Sequence, residues 1–185
     1  MVKQPLSEIE IEVILMACGE LKPVARKRAV AIMYFLLDTG VRVSELCSLN
    51  VDSLDFNDRR GIVLGKGNKE RYIYFSQRTV VRLKDYLATR EDAKNRKDVP
   101  LFASLDLPHE RMHKGGIENI LRQLGNLSGV YRLHPHLVRA TFATNLSKNG
   151  VPIEVIAKLL GHANLNTIHR YVLVTDDFAK TKYLS

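Results

Sequence analysis

One stretch of this chain breaks the pattern of all the rest. Residues 51–76, VDSLDFNDRRGIVLGKGNKERYIYFS, hold apolar runs rich in Val, Ile and Tyr, separated by NDRRG and GKGNKE. Short runs bounded by turn-forming clusters read as strands, and two such turns join three strands into an antiparallel meander. Most of the other apolar patterns in the chain have helical spacing. The expected fold class is therefore mainly α with a small antiparallel three-stranded β-sheet inserted early, an α+β arrangement.

The helical segments carry their own punctuation. Ser7 and Glu10 form a capping box, and Ile9, Val13, Leu15 and Met16 give the first helix an apolar side. VARKRAVAIMYFLLDTG predicts a second helix stopped by Gly40, and VRVSELCSL a short third one with Val43, Leu46 and Leu49 at three-residue spacing. After the sheet come SQRTVVRLKDYLATR, a charged loop EDAKNRKD and a short apolar PLFAS. GGIENILRQLGN, HLVRATFATNLSKNG, PIEVIAKLLGH and a last segment holding TIHRYVLV complete the helical set. No repeat or linker divides the 185 residues, so a single domain over 1–185 is expected.

Composition narrows the function classes. A hydrophobic content of 45% with 26% charged residues suits a globular protein. No apolar run is long enough to cross a bilayer, and MVKQPLSEIEIE lacks the apolar core of a signal peptide, which points to a cytoplasmic protein without membrane contact. Cys18 and Cys47 both lie in helical patterns and read as buried reduced thiols. The net charge of +8 is the first functional indication. Basic clusters at Arg26–Lys27–Arg28, Arg59–Arg60, Lys66/Lys69/Arg71 and Lys94/Arg96/Lys97 could neutralise several phosphates of a duplex, or merely form a basic surface.

Several side chains stand where chemistry is possible. Arg42 opens a helix just past a glycine stop, where amides and a guanidinium together suit a phosphate; a solvated arginine is the plain alternative. Lys66 sits between glycines in GKGNK, which lacks the spacing and context of a nucleotide-binding P-loop and reads otherwise as a basic hairpin tip. His136 and Arg139 share a helical face behind Pro135, whereas His134 precedes the proline and need not share it. His162 follows AKLLG in a turn, and Tyr171 lies in the next helix among Ile168, Val172 and Val174. Each has a structural role open to it, as a capping histidine or a half-buried tyrosine. HExxH, CxxC and G-x-S-x-G are all missing, so neither a zinc site nor a serine hydrolase is expected, and no cofactor.

Taken together, TGVRVSELCSL, LGKGNKERYIYF, HPHLVRATFATNL and LLGHANLNTIHRYV resemble the tyrosine recombinase (phage integrase) family, in its Xer-like branch. The intervals agree too: 24 residues from Arg42 to Lys66, 26 from His136 to His162 and nine on to Tyr171. The resemblance covers nearly the whole chain. It implies a site-specific recombinase catalytic domain that cleaves and rejoins DNA through a 3′-phosphotyrosyl intermediate, without metal or ATP. Tyr171 would be the nucleophile, Arg42 and Arg139 would hold the non-bridging oxygens, and Lys66 would protonate the leaving 5′-oxygen. His136 would assist proton transfer at the tyrosine, and His162 would hydrogen-bond the phosphate. Glu45 is the expected partner of Arg42, and Lys69 and Arg71 join Arg42, Lys66 and Arg139 as DNA-binding residues.

Two departures stand out. Many relatives have histidine after the second arginine, where this chain has Ala140, so a packing difference is expected there. The N-terminal core-binding domain of the family is absent from these residues, which suggests an excised domain or a clamp-less protein. The implied partner is double-stranded DNA with inverted-repeat sites, met by a monomer that forms a tetramer on paired DNA. A DNA-binding or regulatory integrase fragment without chemistry is the alternative, and a type IB topoisomerase a third.

Overall fold

The computed structural model describes residues 4–65, 69–94 and 96–161. The elements are α1 (Glu8–Ala17), α2 (Pro23–Thr39), α3 (Val43–Ser48), β1 (Leu54–Asp55), β2 (Arg60–Leu64), β3 (Glu70–Tyr74), α4 (Gln77–Leu87), α5 (Lys114–Ser128), α6 (Pro135–Lys148) and α7 (Ile153–Leu160), with 3₁₀ turns at Cys18–Glu20, Val51–Ser53 and Glu91–Ala93. The expected class and the antiparallel meander are both present: the sheet order is β1-β2-β3, with Gly61 opposite Ile73 and Val63 opposite Arg71.

Local chemistry sets the helix ends. Ser7 and Glu10 close the capping box on α1 reciprocally, at 3.1 and 2.9 Å. The apolar side of α1 differs from the expected one. Ile9 and Met16 are 72% and 74% exposed, and Ile14 and Ala17 are the buried residues. The cause is the four-residue EIEI alternation at its start, which leaves more than one face with apolar residues. Helix α2 stops at Gly40, whose φ of +57° only glycine adopts at little cost, and where a Cβ would lie 2.2 Å from the Phe142 ring.

The core has two parts. The larger gathers α1, α2, α4, α5, the inner sheet face and one side of α6, around Phe35, Leu36, Leu46, Ile73, Leu83 and Phe102. The smaller joins Phe142 and Ala143 of α6 to Ile156, Ala157 and Leu160 of α7. Helix α6 is therefore buried on two sides, and every residue from Leu137 to Thr144 is buried. Its Thr141 hydroxyl ties α6 to the segment before α1, donating to the Leu137 carbonyl and accepting from the Leu6 amide. Cys18 is fully buried and Cys47 partly so, both as free thiols, and burial pushes the Cys18 thiol up to about 11. Among the described residues, no helix is long and apolar enough to cross a membrane.

Candidate functional site

The site is built around the last turn of α7. A helix C-terminus leaves carbonyls without intrahelical partners and carries the negative end of the helix dipole. Here three successive carbonyls are each taken by a different arginine. Arg71 Nε donates to Leu159 at 2.9 Å, Arg139 Nη2 to Leu160 at 2.6 Å, and Arg42 Nη2 to Gly161 at 3.3 Å. Arg139 Nη1 also donates to the Gly40 carbonyl at the end of α2. The stops of α2 and α7, both left-handed glycines, are thus tied together by one guanidinium.

Each arginine reaches this point by a different route. Arg42 is the N-cap of α3, placed there because α2 ends at Gly40 and the chain must reverse. Arg71 lies on β3 two residues before the buried Ile73, so the two-residue period of a strand turns it toward the core face. Arg139 projects from the first turns of α6 and is 6% exposed.

Glu45 lies between Arg42 and Arg71, 4% exposed. Its carboxylate accepts from the Arg42 amide at 2.7 Å and from Arg42 Nη1 at 2.9 Å. Both of its oxygens are also taken by Arg71, at 2.7 and 2.8 Å. Burial alone would push this carboxyl up, but the hydrogen bonds of Arg71 and Arg42 and the charge of Arg71 together hold it below the usual glutamate range. Two guanidiniums on one carboxylate leave this pair of arginines one positive charge in excess, at a position where Arg42 keeps 32% of its side chain exposed.

Of the other expected site residues, His136 is exposed at the second position of α6, one turn before Arg139. Lys69 is exposed beside β3, its carbonyl accepting from Gly65 at 2.8 Å to close the hairpin. Lys66, His162 and Tyr171 lie outside the described residues. His162 is the residue that follows Gly161 in the chain. Ala140 is buried in α6, at 9% exposure.

One feature went unread in the sequence. His134 is the N-cap of α6, its Nδ1 accepting from the Leu137 amide at 3.3 Å; the histidine before a proline at a helix start was the available signal. Arg71, expected among the DNA-binding residues, has its guanidinium turned inward to Glu45 and Leu159 and is 10% exposed. Its alternation with Ile73 could have shown that.

A mainly helical domain with a small meander carries, at one helix end, an arginine cluster drawn from three separate segments. Residues 4–177 match the phage integrase family, and the chain belongs to that family. It is 32% identical to the tyrosine recombinase XerC of Pediococcus pentosaceus, over 95% of this chain and 60% of that protein. It is 35% identical to XerC of Bacillus licheniformis, over 97% of this chain and 60% of that one. Among solved structures, XerA recombinase superposes with a TM-score of 0.78 at 32% identity, covering 92% of this chain and 58% of XerA. XerH bound to palindromic difH substrate in a post-cleavage complex shares the fold, with a TM-score of 0.82 at 22% identity, over 99% of this chain and 53% of XerH. The chain spans about three fifths of the length of the XerC relatives.

Proposed function

We propose that residues 1–185 form the catalytic domain of a site-specific DNA recombinase, cleaving and rejoining strands through a 3′-phosphotyrosyl intermediate. The observation that carries this reading is the meeting of Arg42 and Arg139 at the end of α7, one residue before His162. Two guanidiniums there can hold two non-bridging oxygens and stabilise the charge that gathers in a pentacovalent phosphorus. The Tyr171 oxygen attacks phosphorus and the bond to the 5′-oxygen breaks. Lys66 gives a proton to that leaving oxygen, while His136 takes the tyrosine proton and His162 hydrogen-bonds the phosphate. The tyrosyl ester keeps the phosphodiester energy, so reversal by a 5′-hydroxyl rejoins DNA without ATP, and the cationic side chains do the charge neutralisation that a metal would otherwise supply. DNA-bound relatives such as XerH on difH support double-stranded DNA as partner. An inverted-repeat site, a monomer in solution, a tetramer on paired DNA and a cytoplasmic location complete the proposal.

The test is covalent trapping on a pool of nicked duplexes carrying inverted repeats, beside Tyr171→Phe, on denaturing gels. A protein–DNA band that disappears in the variant supports the reading. A salt-sensitive shift of DNA without any covalent band would replace it with a binding module lacking chemistry.

A further inference from the structure

Arg71 has a place in the site that phosphate binding does not account for. Its guanidinium donates three hydrogen bonds to internal acceptors, and two of them engage both oxygens of Glu45 face to face. Arg42 reaches the same carboxylate through one side-chain nitrogen only, to an oxygen that Arg71 already holds. The two arginines are therefore not equivalent. Arg71 is the buried, two-pronged partner, and Arg42 is the more exposed, singly bonded one.

That asymmetry matters when an anion arrives. A buried carboxylate left without a partner is strongly unfavourable, so Glu45 would hold Arg42 back if Arg42 were its only cation. With Arg71 seated on both oxygens, Arg42 can rotate from Glu45 toward a phosphate while the carboxylate stays neutralised. The same guanidinium fixes the Leu159 carbonyl, and its shaft lies against the helix stop: a Cβ on Gly161 would stand 3.1–3.3 Å from Arg71 Cδ, Nε and Cζ. Gly161 at φ +63° is thus shaped around Arg71.

Resting on the recombinase reading, we infer that Arg71 is a positioning residue, the standing counter-ion of Glu45 that releases Arg42 to the scissile phosphate and anchors the turn leading to His162. It does not touch DNA itself. Nothing is transferred in this step; one hydrogen bond of Glu45 is exchanged for one to phosphate.

The experiment measures single-turnover cleavage, DNA affinity against salt and thermal unfolding for the 185-residue protein on the nicked duplex pool. The variants are Arg71→Gln, Arg71→Lys and the double variant Glu45→Gln/Arg71→Gln. Arg71→Gln should slow cleavage about 100-fold, the size expected when a reacting group is misplaced, with affinity and salt slope unchanged. Removing the uncompensated carboxylate should rescue: the double variant should cleave about 10-fold faster than Arg71→Gln. A merely structural role gives no such rescue, and a double variant slower than the single one overturns the proposal. Arg71→Lys keeps a cation beside Glu45 and covers the case in which Arg71→Gln does not fold. Its cleavage should fall about threefold to tenfold at unchanged affinity. A flattened salt slope with weaker binding would make Arg71 a phosphate ligand and sink the idea. Wild-type protein that gives no covalent band defeats the recombinase reading itself. Wild-type protein that cleaves, beside an Arg71→Gln variant equally fast, defeats only the role of Arg71.

Discussion

Two arginine clusters lie at separate places in this molecule, and they are built differently. Arg90, 2% exposed, pairs with a single carboxylate, Asp92, and donates to the carbonyls of Pro100 at 2.6 Å and Leu101 at 3.2 Å. Its guanidinium sits 5.9 Å from the centre of the Tyr86 ring, which itself stacks on Phe102. That is one cation, one anion and a closed set of acceptors, tying the loop after α4 to the segment beyond it. At the end of α7, Arg42 and Arg71 share one carboxylate and the cluster keeps an opening through Arg42. Burial of an arginine therefore says little about function by itself. The ratio of guanidiniums to carboxylates, and whether one guanidinium stays accessible, separates a closed brace from a cluster that could take the proposed phosphate.

The comparison can be broken most directly at Arg139. Arg139→Gln should slow covalent-complex formation about 10²–10³-fold, since on the proposed reading it removes a donor to the developing charge. It should also lower stability by about 1.5–3 kcal/mol, because the Gly40 and Leu160 carbonyls lose a charged donor. Trapping gels and urea unfolding read the two effects separately. Arg90→Met should show the opposite balance: a loss of about 3 kcal/mol in unfolding free energy, with unchanged cleavage per folded molecule. Equal damage to cleavage would mean that the two clusters are not functionally distinct.

Gly161→Ala should cost about 1–2 kcal/mol through its positive φ alone, and it should slow cleavage more than its stability loss accounts for, because the new methyl presses on Arg71. Differential scanning of the variant beside its trapping rate would show whether the turn matters to the site. The smallest effect is a matter of pH. Glu45 is held below its ordinary value of 4.5 in the folded protein, so its contribution to stability is present above that value and is lost as pH falls through the lowered one. Glu45→Gln should therefore be less stable than wild type near neutrality, and the two curves should converge in acid. Parallel curves throughout would show that Glu45 carries no charge-linked stability.

Much of the scaffold was legible before any coordinates, for reasons particular residues make plain. Ser7 with Glu10 and the Gly40 stop are local devices, decided within a turn of backbone, and each terminus lies where those residues put it. The meander followed from turn clusters and strand-forming runs for the same reason. The choice of face on α1 was not legible in the same way. Ile9 and Met16 are apolar and exposed, because the face of α1 that is buried depends on α5 packing against it. Arg71 was grouped with its basic neighbours as a DNA-binding residue, and its position on β3 turns its guanidinium toward Glu45, a contact that the run of charges does not show.

The residues themselves determined the elements, the order of the motifs and a positive charge suited to DNA phosphate, since propensity, capping and net charge need no partner from afar. Only the tertiary structure decided that Arg42, Arg71 and Arg139 would meet at successive carbonyls of α7, and that one carboxylate would serve two of them. Such a meeting depends on how α2, α6 and the sheet pack, and on the cost of leaving Glu45 or a helix end unsatisfied once water is excluded. No single stretch of sequence carries that cost.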